Sequence, residues 1–220
     1  MARVLLTRPQ PGAAATARAL SAAGHAPVIA PLMETLGLRW SAPETLPDAI
    51  MLTSAAAIRH AGEAAEGLKA LPALCVGTQT LRAARAWGWS RAEVAGPDLE
   101  ALLAEAARRA PISLLHLCGA DRTAAAVPEG IEIARRIVYA ARLRPLAEPG
   151  EVDVVMLFSA RSAAHFASEW GRLGRTRDGL AVVAISATAA VAAGTGWARV
   201  EIAARPDEAS LLAALAALAL

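Results

Sequence analysis

Six short turns in this chain gather residue types that hold anions. They are Thr7-Arg8-Pro9, Thr53-Ser54, Gly77-Thr78-Gln79-Thr80, Gly119-Ala120-Asp121-Arg122, Ser159-Ala160-Arg161-Ser162 and Ser186-Ala187-Thr188. Hydroxyls, guanidinium groups and the free N–H groups of helix N-termini are the chemistry that binds carboxylates and phosphates. The same small polar residues are also the normal caps of helices, so each turn taken alone is explained by capping. Six of them, each following an apolar run and nearly all preceding a helical stretch, point to an anion-accepting cleft.

The standard catalytic sets are missing. There is no Walker loop, no GxGxxG and no GxSxG nucleophile elbow, so nothing supports nucleotide binding or an acyl-enzyme. No His, Asp or Glu cluster has metal-ligand spacing. His25, His60, His116 and His165 read as structural or exposed; His60 and His165 hold similar positions in two related helical stretches. Cys75 and Cys118 close apolar runs without a CxxC partner and read as reduced core thiols. Tyr139 is the single tyrosine, and it stands outside the candidate core strands. An enzyme built from this inventory works by binding geometry and a weak acid.

Those turns must be positioned by the elements around them. The apolar runs Val4–Leu6, Pro27–Ala30, Ala49–Leu52, Ala73–Val76, Glu93–Ala95, Ser113–Leu117, Val154–Phe158, Ala181–Ile185 and Val200–Ala203 read as short strands buried on both faces. Alanine-rich helical stretches follow most of them: Pro11–Ala23, Ser54–Ala65, Thr78–Trp87, Asp98–Ala110, Ala160–Trp170, Ala187–Ala193 and Asp207–Leu218. Strand, small polar turn, helix, repeated, predicts an α/β fold with parallel sheets. Leu180–Ala198 carries no charge, but its Ser, Thr and Gly residues and its alanines make it a strand, turn and helix instead of a membrane span.

Composition agrees with a folded chain. Of 220 residues 55% are apolar and 19% charged, and the net charge is +2, which excludes a disordered chain and leaves no electrostatic footprint for nucleic acid. The N-terminus has no signal-peptide core, so the expected compartment is the cytoplasm.

Internal repeats set the domain expectation. MLTSAAAIRHAGEA from Met51 matches MLFSARSAAHFASEW from Met156. From Val76/Ile185 through Pro97/Pro206 to Leu102/Leu211 the offset is a constant 109 residues. Two related α/β lobes follow, with one inserted in the other: residues 1–35 and 146–220 around an inserted 36–145. The crossings fall at about 34–40 and 138–145, where β-like alternation predicts a two-stranded ribbon.

The ordered set VLLTRP (Val4–Pro9), APLMETLGL (Ala30–Leu38), MLTSAAAI (Met51–Ile58), CVGTQT (Cys75–Thr80), LHLCGADR (Leu115–Arg122), VYAARLRP (Val138–Pro145), LFSARSA (Leu157–Ala163), AISATAA (Ala184–Ala190) and ARPDEASLL (Ala204–Leu212) resembles the uroporphyrinogen-III synthase family. The resemblance covers essentially the whole chain. It implies two flavodoxin-like three-layer domains with parallel sheets, one inserted in the other, joined by a two-stranded β-ribbon. It also implies an active site in the cleft between them and no metal or cofactor.

The implied substrate is hydroxymethylbilane, a linear tetrapyrrole with eight carboxylates, which the family closes to a ring while inverting ring D. Loss of water gives an azafulvenium cation, and attack through a spiro intermediate gives the type III product. Tyr139 matches the family's important tyrosine and is the candidate catalytic proton donor. The substrate-binding candidates are Thr7, Arg8, Thr53, Ser54, Gly77, Thr78, Thr80, Gly119, Arg122, Ser159, Arg161, Ser162, Ser186 and Thr188.

Two departures stand out. Ala55-Ala56 occupies a turn where the family often has Asn or another polar residue. The family's Gly-Pro-x-Thr turn reads Ser186-Ala187-Thr188-Ala189 in the second repeat, so Thr80 is matched by Ala189 and Thr188 stands one place early. The alternatives are a non-catalytic homologue or small-ligand binding module using the same hinged cleft, and a two-lobed binding protein, which would normally carry a secretion signal. No membrane or nucleic-acid partner is expected, and the chain reads as a monomer.

Overall fold

The computed structural model describes residues 1–121 and 124–218. The chain divides into two compact units: Met1–Glu34 with Arg142–Leu220, and Thr35–Ala141. Each has a mainly parallel sheet between helices, as the strand, turn and helix pattern predicts.

The first unit contains β1 (Arg3–Leu6), β2 (Ala26–Ile29), β9 (Val154–Leu157), β10 (Ala181–Ala184) and β11 (Arg199–Ile202). Their order in the sheet is β11-β10-β9-β1-β2, and every neighbouring pair is parallel. Alternate residues of these short runs face opposite ways, so each strand feeds two cores. Leu5, Val155, Leu157 and Val182 pack under α5 (Ala160–Arg172) and α6 (Ala187–Ala193), with Phe166, Trp170 and Trp197. Val4, Leu6, Met156 and Val183 pack under α1 (Gly12–Ala22) and α7 (Glu208–Ala217). With strands counted along this unit's own chain, the order is the flavodoxin-like 2-1-3-4-5. The other unit is inserted after its second strand.

The second unit holds β4 (Ala49–Leu52), β5 (Ala73–Val76), β6 (Ala92–Gly96), β7 (Ile112–Gly119) and β8 (Ile131–Leu143) in the order β8-β7-β4-β5-β6. Its helices are α2 (Ala55–Arg59), α3 (Gly77–Ala86) and α4 (Leu99–Ala107). Ile50, Leu52, Cys75, Leu115 and Leu117 face α2 and α3, and Met51, Leu74 and Leu114 face α4. This is the first unit's sheet with its chain permuted, β7 and β8 taking the places of β1 and β2. The permutation explains why the sequence repeat begins at Met51 and Met156, the strands next to that pair.

β3 (Met33–Gly37) pairs with the latter half of β8. The Leu38 N–H donates to the Val138 carbonyl and the Arg144 N–H to the Leu32 carbonyl, so the two strands run antiparallel.

Two elements differ from the sequence expectation. The helical stretch read over Ser54–Ala65 is α2 followed by a separate 3-10 helix, Glu63–Leu68. Gly62 between them, the N-cap of the 3-10 helix, has φ 63 and ψ −170, a backbone that an α-helix cannot run through. β8 begins seven residues before the predicted 138, at Ile131. Its first half carries Arg135 and Arg136 and after Ile131 has only exposed and half-buried positions, so it lacks the continuous apolar run that marks the other strands. Leu180–Ala198 forms β10 and α6, and no helix among the described residues is long and apolar enough to cross a membrane.

Candidate functional site

In the second unit the strand order reverses between β7 and β4, since the chain's connections leave in opposite directions from there. In open parallel sheets, that switch point at the carboxyl strand ends is where ligands bind. A pocket of about 360 Å³ opens there, lined by Thr53 and Ser54 after β4, His116, Cys118 and Gly119 of β7, Asp121, Tyr139 of β8, and Val76, Pro97, Asp98 and Leu99. It brings three of the candidate binding residues, Thr53, Ser54 and Gly119, together with the catalytic candidate Tyr139.

Local geometry fixes each side chain. Ser54 is the N-cap of α2, its Oγ accepting from the Ala56 N–H at 3.0 Å. The Tyr139 hydroxyl lies 3.5 Å from that same Oγ, a long contact that leaves the phenol open to another partner. Gly119 makes room for the ring: a Cβ there would stand 2.6 Å from Tyr139 Cζ. Thr53 Oγ1 and His116 Nε2 are 3.0 Å apart. Asp98 caps α4, accepting from the Ala101 N–H at 2.8 Å.

His116, Asp98 and Asp121 are not among the sequence candidates for binding. His116 is only 3% exposed, yet it borders the pocket through the register that sets it beside β4. A polar residue within an apolar strand, three positions before the Gly119 turn, is the available signal. The pocket therefore carries two carboxylates besides its hydroxyls, and it can accept N–H groups and sit beside positive charge as well as bind anions.

The remaining candidates are placed differently. Thr7 is fully buried, and its hydroxyl donates to the Met156 carbonyl at 2.8 Å. That bond ties β1 to β9, so the turn residue expected to meet a ligand is spent inside the fold. Arg8 stacks its guanidinium 4.7 Å from the Phe158 ring centre, donates to Thr16 Oγ1 at 3.1 Å and approaches Glu208 at 3.8 Å.

Ser159 and Ser186 cap α5 and α6, accepting from the Ser162 and Ala189 N–H groups. Ser162 is buried and shares a 2.9 Å hydroxyl contact with Ser159, while Thr188 is exposed and shares one of 2.9 Å with Ser186. Arg161 is exposed. Gly77 opens α3 without a side-chain cap, leaving its first N–H groups available; Thr78 is exposed and Thr80 buried. Arg122 lies outside the described residues. Capping thus accounts for Ser54, Ser159 and Ser186, as their residue type alone allows.

Burial pushes the Cys75 thiol up to about 11, which keeps it protonated and unreactive. Among the described residues no group of three or more His, Cys, Asp or Glu is arranged to hold a metal ion.

Comparison with known proteins bears on this arrangement. The family model described as uroporphyrinogen-III synthase HemD matches residues 14–213. No curated protein sequence matches. Among solved structures, the uroporphyrinogen-III synthetase of Helicobacter pylori is similar at 16% identity and TM-score 0.66, covering 99% of this chain and 100% of that one. A mutant uroporphyrinogen III synthase of Thermus thermophilus is similar at 16% identity and TM-score 0.50, covering 100% and 99%. Those likenesses are of fold. The family match over most of its length makes the chain a member of the uroporphyrinogen-III synthase family, lyase-type enzymes of tetrapyrrole biosynthesis.

Proposed function

We propose that this chain cyclises hydroxymethylbilane to uroporphyrinogen III with inversion of ring D. In this reading the two units are two domains, 36–145 inserted between 1–35 and 146–220, and the reaction takes place in the cleft between them. The observation that carries the reading is the pocket at the β4/β7 switch point, because it brings Tyr139 together with Thr53, Ser54 and Gly119.

The chemistry fits the residues. Tyr139 donates its phenolic proton to the leaving hydroxyl, which departs as water and leaves an azafulvenium cation. Asp98 and Asp121 accept pyrrole N–H groups and offset the cation's charge. Thr53 and Ser54 hold the neighbouring substituents. Arg161, Thr188 and the helix N-termini of α3, α5 and α6 meet substrate carboxylates. A phenol is a weak acid, so orientation of the bound chain supplies most of the preference for the spiro route over simple closure.

The test is substitution of Tyr139 by Phe in purified protein supplied with freshly made hydroxymethylbilane. The expected result is slower formation of the type III isomer with activity retained in part. Unchanged turnover would remove the proton-donor role.

A further inference from the structure

We propose that His60 is a positioning residue for Tyr139, its imidazole fixed by Thr35, seated over Gly37 and stacked on the phenol ring. This rests on the reading of Tyr139 as the acid of the reaction.

Among the described residues the Tyr139 hydroxyl has one hydrogen-bond contact, the long 3.5 Å one to Ser54, which holds the ring weakly. What packs on the ring must do the rest. The His60 imidazole stacks on it with centroids 5.9 Å apart and planes at 26°. That imidazole is itself tied: its Nε2 lies 2.8 Å from Thr35 Oγ1 on β3. The β3–β8 register set by Leu38–Val138 and Leu32–Arg144 places Gly37 opposite Tyr139. A Cβ on Gly37 would stand 3.2 Å from His60 Nδ1, a tight contact, so the glycine leaves the imidazole room on the ribbon beside the phenol.

Burial, and then the neighbouring Arg59, hold the His60 pKa below its ordinary value, so a neutral ring makes the stack at neutral pH. His165 is the repeat's counterpart of His60; its Nε2 lies 2.7 Å from the Arg144 carbonyl, and among the described residues it stacks on no aromatic ring. The stacking partner is therefore particular to the unit that carries Tyr139.

Tyr139 is the single tyrosine, so protein made with ring-13C tyrosine shows one set of ring signals. His60→Ala is expected to shift that set and to lower kcat about tenfold while KM stays within about twofold, since orientation is lost and binding is not. The fraction of type III product falls with it. His60→Phe keeps an aromatic face and is expected to restore kcat to within about threefold of wild type. Thr35→Val removes the tie without removing the stack, and it reports on the proposal if His60→Ala does not fold; its expected effect is a shifted tyrosine signal and a loss of about threefold in kcat.

Tyrosine signals unmoved in the folded His60 or Thr35 variants would overturn the proposal, as would unchanged kcat in them beside a slowed Tyr139→Phe. Full turnover of Tyr139→Phe would instead strike the catalytic reading of Tyr139, and the signal shift alone would then decide whether His60 positions the ring.

Discussion

The phenol of Tyr139 and the absent side chain of Gly119 belong together. Tyr139→Phe is expected to lower kcat about 100-fold, within the range for loss of one general acid. Gly119→Ala acts on the same ring from outside: its Cβ would meet Tyr139 Cζ at 2.6 Å, so ring or strand must move. We expect a kcat loss approaching that of Tyr139→Phe, checked by kinetics together with the ring signal of the labelled tyrosine; normal kcat with an unmoved signal would contradict it. Tyr139 was legible in the sequence because it is the sole tyrosine and lies outside the core runs. His116 was not, because its meeting with Thr53 depends on the register of β7 against β4, the two residues standing 63 apart in the chain. The sequence placed Asp98 at the head of a helical stretch, and only the fold turns it toward a pocket.

Among the elements, two polar contacts tie distant parts of the unit formed by Met1–Glu34 and Arg142–Leu220. Thr7→Val removes the buried hydroxyl that bonds the Met156 carbonyl, and a loss of about 1–2 kcal/mol is expected in denaturant unfolding. On α5, Glu169 accepts from the Leu146 N–H at 2.8 Å and from Arg172, while Arg172 donates to the Leu146 carbonyl at 2.9 Å. The Arg172 guanidinium, with the Leu146 N–H, holds the Glu169 carboxyl below its ordinary value of 4.5. The unfolded chain therefore binds the proton more readily, and stability from this group is present above that value and lost as pH falls through the lower folded one. The stability difference between wild type and Glu169→Gln should stay constant above pH 4.5 and shrink below it; a pH-independent difference in unfolding experiments would exclude the linkage. The strands with continuous apolar runs were readable to within a residue or two. β8 was half missed because Arg135 and Arg136 interrupt the pattern, and α2 was overextended because a break at His60–Gly62, where Gly62 has positive φ, separates it from the 3-10 helix.

For the whole molecule, four apolar clusters among the described residues serve the two sheets, and each draws its residues from one unit. Each unit should therefore respond to damage by itself. Leu52 is fully buried in the Thr35–Ala141 unit, and Leu52→Ala should cost about 2–5 kcal/mol. Hydrogen exchange is expected to speed up within 35–141 and to stay as in wild type in the other unit; equal acceleration in both would show that they unfold as one body. The constant 109-residue offset announced the duplication. It did not announce the permutation, because β7 and β8 follow their repeat while β1 and β2 precede theirs.

Whether this chain directs ring closure is tested most directly by giving the purified protein freshly made hydroxymethylbilane and separating the products by chromatography. Predominant type III uroporphyrinogen is the result expected. Type I alone, the product of unassisted closure, would contradict it.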